Sequence, residues 1–162
     1  MDFQERLQKA IDRGRGRSDV QKAQQRADKL SEEELRQLHS RYRLEVSEHI
    51  EDCVKQLPQS FPGFDYEIIY GESGWGAACR RDDVGRGDGG KRANYYSRVE
   101  LTVRPYSPSL QVFELTGKGT VRNKEIYNRK HFLKLDEVDT QDFIELIDHW
   151  VLEFAEIYAA GK

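Results

Sequence analysis

The chain has 162 residues, 37% apolar and 34% charged, with a formal net charge of −3. That length suits one domain with a core of ordinary size, and so high a charge density excludes a chain built mainly of membrane spans. No apolar run follows Met1, where MDFQERLQKA is charged from the start, so no secretory signal is expected and the expected location is cytoplasmic. With no export signal, Cys53 and Cys79 are expected to be reduced thiols. Neither has a CxxC partner, and neither is read as having a nearby histidine in sequence, so no metal site is expected and no cofactor is implied.

The small net charge conceals a segregation. Residues 1–30 hold 8 basic and 5 acidic side chains, residues 31–79 hold 4 and 10, residues 80–130 hold 12 and 6, and residues 131–162 hold 2 and 8. Acidic helices and basic strands that neutralise each other within one fold are the commoner arrangement. The other reading is that the basic middle meets an anion. The acidic net charge counts against general nucleic-acid binding.

Residues 1–13 place Phe3, Leu7, Ala10 and Ile11 on one side of a short helix, too short to be stable unless docked. Gly14 to Asp19, GRGRSD, is expected to break that helix and act as a solvated linker. Residues 1–30 are therefore read as a peripheral helical or linker arm, and residues 31–162 as a single α+β domain. Ser31 and Glu34 form a capping box, with Leu30 and Leu35 at the staple positions. Leu35, Leu38, Tyr42, Val46, Ile50, Cys53 and Leu57 then recur at helical spacing up to Pro58. This predicts a helix over 31–57, with Cys53 in its buried stripe and His39 and His49 beside it.

After the turn QSFPG the period changes to two. Tyr66, Ile68 and Tyr70 alternate with Asp65 and Glu67, as in a strand buried on one side. Gly71 to Gly74 reads as a hairpin turn before a second strand from Trp75. Asp82 to Asn94 contains four glycines and reads as a long mobile hairpin tip. Its Gly85, Gly87 and Gly90 match G-x-G-x-x-G, but a strand follows instead of the helix N-terminus that would hold a phosphate. Tyr95 to Arg104 is the clearest strand, with Val99, Leu101 and Val103 on one face and Arg98, Glu100, Thr102 and Arg104 on the other. Leu110 to Thr116 is its expected partner. No crossover helix separates these strands, so the sheet is antiparallel.

Gly117 to His131 is the densest run of hydrogen-bond donors. A strand over Lys118–Lys124 would align Lys118, Thr120, Arg122 and Lys124 on one face. The candidate binding set is Arg98, Arg104, Lys118, Arg122, Asn123, Lys124, Asn128, Arg129 and His131, donors suited to phosphate or carboxylate. Alternating Lys and Arg also protect a sheet edge from aggregation or pair with acidic helices, which is the commoner use. No nucleophile motif accompanies His131, so no catalytic residue is assigned.

The last element, Thr140 to Ala159, sets Phe143, Ile144, Ile147, Trp150, Val151, Phe154, Ile157 and Tyr158 on one broad helical face, widened by Leu146 and Leu152. Asp139 or Thr140 suits its cap and Gly161 its end. Asp142, Glu145, Asp148, Glu153 and Glu156 rule it out as a membrane span. It must cover the strands. The predicted fold is α+β: an antiparallel sheet of about four to six strands packed by this helix and the helix over 31–57.

This layout resembles helix-grip folds, in which a terminal helix lies across a curved sheet, an architecture shared by many functions. Three functions are compatible with it. The favoured one is a non-enzymatic interaction module with a protein partner or as a homodimer, and with no membrane contact. The second is binding of an anionic ligand or nucleic acid by the basic strands of 98–130. The third is a small-ligand or enzymatic pocket between sheet and last helix, lined by Tyr66, Trp75, Tyr95, Trp150 and Phe154.

Overall fold

The structure is a computed structural model that describes residues 2–161, with residues 27–30 and 88 described by backbone alone. The chain divides into two compact units, Met1–Gln37 and Leu38–Lys162.

The first unit consists of the leading part of α1, a helix spanning Phe3–Val54. Asp2 caps its start, its carboxylate accepting the Glu5 N–H at 2.9 Å. The expected linker at Gly14–Asp19 is absent, because these residues continue the helix. A glycine costs about 1 kcal/mol against alanine in a helix, and the flanking Arg13, Arg15 and Arg17 are good helix formers. The pair weakens the helix without ending it. Ser31 and Glu34 likewise lie inside α1 and do not start it. A capping box works only where the preceding chain has left helical geometry.

The second unit holds a five-stranded antiparallel sheet in the order β1 (Asp65–Ile69), β2 (Trp75–Arg86), β3 (Arg92–Val103), β4 (Val112–Val121), β5 (Lys124–Lys134). Each strand pairs with its sequence neighbour, as short turns dictate. One face is covered by α3 (Thr140–Ala159), by the closing turns of α1 and by the single turn α2 (Leu57–Ser60). Alternation selects that face: Val99, Leu101 and Val103 of β3, Phe113 and Leu115 of β4, and Cys79 of β2 are fully buried on it. Val46, Ile50 and Val54 from α1 and Phe143, Ile147 and Phe154 from α3 complete the core. Phe113 is where these layers meet. Its ring lies 4.9 Å from that of Phe143, 5.5 Å from His39 and 6.0 Å from Tyr42.

Two glycines on the covered side of β4 leave room for bulky neighbours, Gly117 for Trp150 of α3 and Gly119 for Tyr127 of β5. A Cβ on Gly117 would lie 2.5 Å from Cε3 of Trp150, and one on Gly119 would lie 3.0 Å from the Tyr127 ring. Tyr127 then donates its hydroxyl to the Trp150 carbonyl at 2.8 Å, which ties β5 to α3. As the sequence implies, α3 is capped by Asp139, whose carboxylate accepts the Gln141 N–H at 3.0 Å, and it closes at Gly161 with φ 75°.

Several local expectations are corrected. The predicted helix over 31–57 stops at Val54, and Pro58 lies in the separate turn α2. Ile68 and Tyr70 are exposed, because β1 is an edge strand that the helices do not cover there. Leu152, expected to widen the buried face of α3, is also exposed. Asp82–Asn94 is no long loop: β2 and β3 stay paired out to Arg86 and Arg92, and Gly87–Lys91 make the turn. Leu110 precedes β4, since Gln111 turns the chain with φ 54°.

The strand expected over Lys118–Lys124 reverses midway. Arg122 and Asn123 have φ of 46° and 68° and form a two-residue hairpin turn between β4 and β5. Asn123 tolerates this geometry. Arg122 is held in it by its N–H donating to Ser97 Oγ and its guanidinium donating to the Tyr158 carbonyl, both at 3.0 Å. That guanidinium also lies 4.6 Å from the Tyr158 ring, so a cation sits at the negative end of α3.

His39 closes the core at the end of β3, its Nε2–H donating to the Arg104 carbonyl at 3.0 Å. Burial lowers its pKa below the ordinary 6.5; the hydrogen bond to Arg104 opposes this and the Arg43 charge adds to it. The fold therefore disfavours the protonated ring, and the unfolded chain binds a proton at higher pH than the folded one does. The contribution of His39 to stability is complete above about pH 6.5 and is lost as pH falls through the folded value. The urea midpoint is expected to drop between pH 7 and pH 5, and more steeply in wild type than in His39→Gln. Parallel profiles for the two proteins would exclude His39 as the source.

Candidate functional site on the open face of the sheet

No helix of the second unit covers the other face of the sheet, and its side chains form a grid set by the strand register. Across β3, β4 and β5 the rows are Arg104, Glu114, Phe132; Thr102, Thr116, Lys130; and Glu100, Lys118, Asn128. The middle row begins with two threonines, shorter than the side chains on either side of them. The result is a cleft of about 350 Å³, floored by Thr102 and Thr116 and rimmed by Ser73, Glu100, Arg104, Glu114, Lys118 and Lys130. Thr102 is nearly buried there, at 7% exposure.

Both carboxylates of the cleft are engaged. Glu114 pairs with Arg104 at 3.6 Å, and Glu100 lies 3.6 Å from Arg98, which also donates to Glu67 at 2.9 Å. Lys118 and Lys130 differ from their neighbours. Both are exposed, and among the described residues neither has a carboxylate within ion-pair distance. Two ammonium groups thus border one depression with hydroxyls at its floor, an arrangement suited to an anion.

The sequence-derived set divides between the two faces. Arg104 and Lys118 come together in the cleft, Asn128 stands opposite Lys118, and Arg98 lies beside it, occupied by acids. Arg129 faces α3 instead and forms two hydrogen bonds to Glu153, at 2.6 and 3.1 Å. That bond holds the Glu153 carboxyl below its ordinary value. His131 also faces the core, edge-on to Phe143 at 5.1 Å. Arg122 and Asn123 belong to the turn, where the Asn123 carbonyl accepts the Tyr96 N–H and its amide donates to the Asn94 carbonyl. Lys124 is exposed at the start of β5. Lys130, left out of the set, is central. Its signal is period-two spacing from Asn128, which only the true start of β5 reveals.

A second grouping lies between α1 and α3. His49 Nε2 is 2.7 Å from Asp148 Oδ1, Cys53 Sγ is 3.3 Å from the same oxygen, and Sγ and Nε2 are 3.4 Å apart. Burial, then the Asp148 carboxylate, pushes the Cys53 thiol up to about 12. The cluster does not work as a nucleophile triad, because one histidine nitrogen meets both partners, whereas a base must take the thiol proton on one nitrogen and be oriented through the other. These three residues do form a set able to ligate a metal. His49 stands four residues before Cys53, one helical turn, and that spacing is the sequence signal that a search for CxxC passes over.

Trp150 and Phe154, expected to line a pocket under α3, are 4% and 0% exposed and are packed into the sheet. A two-layer α+β domain with one uncovered sheet face is the class this geometry defines. Comparisons with protein-family models, with curated proteins and with solved structures find no match to the chain. No helix among the described residues is long and apolar enough to cross a membrane.

Proposed function

We propose that the protein is a non-enzymatic, cytoplasmic binding module that takes up a small anionic ligand, a carboxylate or a phosphate, on the open face of its sheet. The observation that carries this reading is the pair Lys118 and Lys130, both without carboxylate partners among the described residues, at the rim of one cleft with Arg104. Arg104 completes the charge on that rim, and Thr102 and Thr116 offer hydroxyl donors at the floor. Nucleic acid fits less well, because Glu67, Glu100 and Glu114 interrupt the cations of the same face and leave no continuous basic track for a phosphate backbone. The free thiols of Cys53 and Cys79 agree with a reducing compartment.

The test is a titration of labelled full-length protein with inorganic phosphate and with citrate at low salt, read by amide chemical shifts. Shifts are expected to concentrate on Thr102, Thr116, Lys118 and Lys130. Lys118→Ala with Lys130→Ala is expected to weaken binding by about 10-fold or more, since a hydrogen bond to a charged group contributes about 1.5–3 kcal/mol. The exposed hairpin variant Lys91→Ala is expected to bind as wild type. Shifts scattered over every basic surface, or unchanged affinity in the double variant, would refute the reading.

A further inference from the structure

The His49, Cys53 and Asp148 side chains are separate from the open-face cleft and lie on the helical layer of the fold. In sequence they span two elements, with His49 and Cys53 one turn apart on α1 and Asp148 on α3. Each sits beside core anchors: Ile50 and Val54 are fully buried next to the α1 pair, and Ile147 is fully buried next to Asp148. The three donor atoms are therefore carried on packed helices and not on loops, the condition for a preorganised ligand set.

The triangle they form has edges of 2.7, 3.3 and 3.4 Å. In a tetrahedral zinc site, metal–ligand bonds of about 2.0–2.3 Å place neighbouring donors about 3.4–3.6 Å apart. Both edges that involve sulfur are already close to that value. The nitrogen–oxygen edge is shorter because a hydrogen bond now spans it, and exchanging the proton for a metal would open it by about 0.7 Å. We propose that His49, Cys53 and Asp148 bind one divalent transition-metal ion of the zinc class. The mixed sulfur, nitrogen and oxygen donors are borderline in softness, which selects zinc or cobalt over magnesium or calcium.

Charge balance supports the same assignment. A thiolate and a carboxylate neutralise a 2+ ion, so the loaded site carries no net charge into its half-buried surroundings. Binding displaces the proton of Cys53 to solvent and needs Nε2 of His49 free of its proton, so metal uptake releases protons. Three protein ligands leave the fourth position of a tetrahedron for water or an added ligand. Cys53 and Asp148 also line a mostly apolar cleft of about 730 Å³ with Leu57, Phe61, Val151 and Leu152, from which such a ligand would come.

The test is titration of chelator-treated full-length protein with cobalt(II) and then zinc(II). Wild type is expected to bind one cobalt with a thiolate-to-cobalt charge-transfer band and the visible bands of a tetrahedral site, both lost when zinc displaces it. Cys53→Ala is expected to abolish the charge-transfer band. His49→Ala and Asp148→Asn are each expected to weaken zinc by at least about 10-fold, with circular dichroism confirming the fold. Asp148→Asn keeps an acceptor for His49, so it separates loss of ligation from loss of the hydrogen bond. The exposed His149→Ala is expected to change nothing. Absence of the charge-transfer band in wild type, or zinc affinity unaltered in both Cys53→Ala and Asp148→Asn, would overturn the assignment, leaving a hydrogen-bonded cluster or surface binding only.

Discussion

Phe113→Ala is expected to lower the unfolding free energy by about 3–5 kcal/mol, the usual cost of removing a fully buried phenyl ring. Phe113 has no exposed surface, and its ring meets two helical elements of the second unit: His39 and Tyr42 from α1, and Phe143 from α3. Truncation leaves a cavity bordered by three rings, and β4 and the two helices cannot all close on it at once. A domain of this kind is stable by about 5–15 kcal/mol, so the loss is a large share of the total. Urea unfolding read by tryptophan fluorescence measures it directly. A loss below about 1 kcal/mol would mean that the ring is not buried as described, since surface substitutions fall in that range. Phe132→Ala supplies the contrast: Phe132 lies on the open face at 60% exposure, and its removal is expected to cost under about 1 kcal/mol.

The second large effect is an addition. Gly117→Ala is expected to destabilise the fold by about 1–3 kcal/mol through overpacking, since the new methyl would meet Cε3 of Trp150 at 2.5 Å and Cζ3 at 2.9 Å. Trp150 cannot easily retreat. It is 4% exposed, and its carbonyl is held by the Tyr127 hydroxyl. The cost should therefore depend on the size of the side chain at 150. In a Trp150→Leu background the same glycine replacement is expected to cost less, giving a coupling of about 0.5–3 kcal/mol in a double-mutant cycle. Equal cost in both backgrounds would show that the glycine is needed for strand geometry and not for the passage of the indole.

The open-face cleft and the helical cluster differ in how far they could be read beforehand. Arg104 and Lys118 were identifiable as donors of the basic strands, and their strand spacing put them on polar faces. Their meeting in one cleft depends on the β3–β4 register, through Glu100 opposite Lys118 and Thr102 opposite Thr116. A shift of one residue would have turned Lys118 into the core and Gly117 out of it. Arg122 and Arg129 looked equivalent to Lys118 by charge. Their roles as braces against Tyr158 and Glu153 come from partners 36 and 24 residues away. The error at GRGRSD has another origin: composition reports the mean behaviour of arginine–glycine runs, whereas the residues on either side sustained the helix.

The antiparallel sense of the sheet, the buried face of β3, most of the buried face of α3 and the caps of α3 all depend on residues within a few positions of one another. Side-chain periodicity, turn chemistry and helix-end hydrogen bonds act over that range, so the amino-acid order alone determined them. The open-face cleft and the meeting of His49 and Cys53 with Asp148 required the folded chain. The latter contact spans 95 to 99 residues. Its geometry comes from how α1 and α3 pack over the sheet, and packing distributes its constraints over the whole core without writing them at any single position.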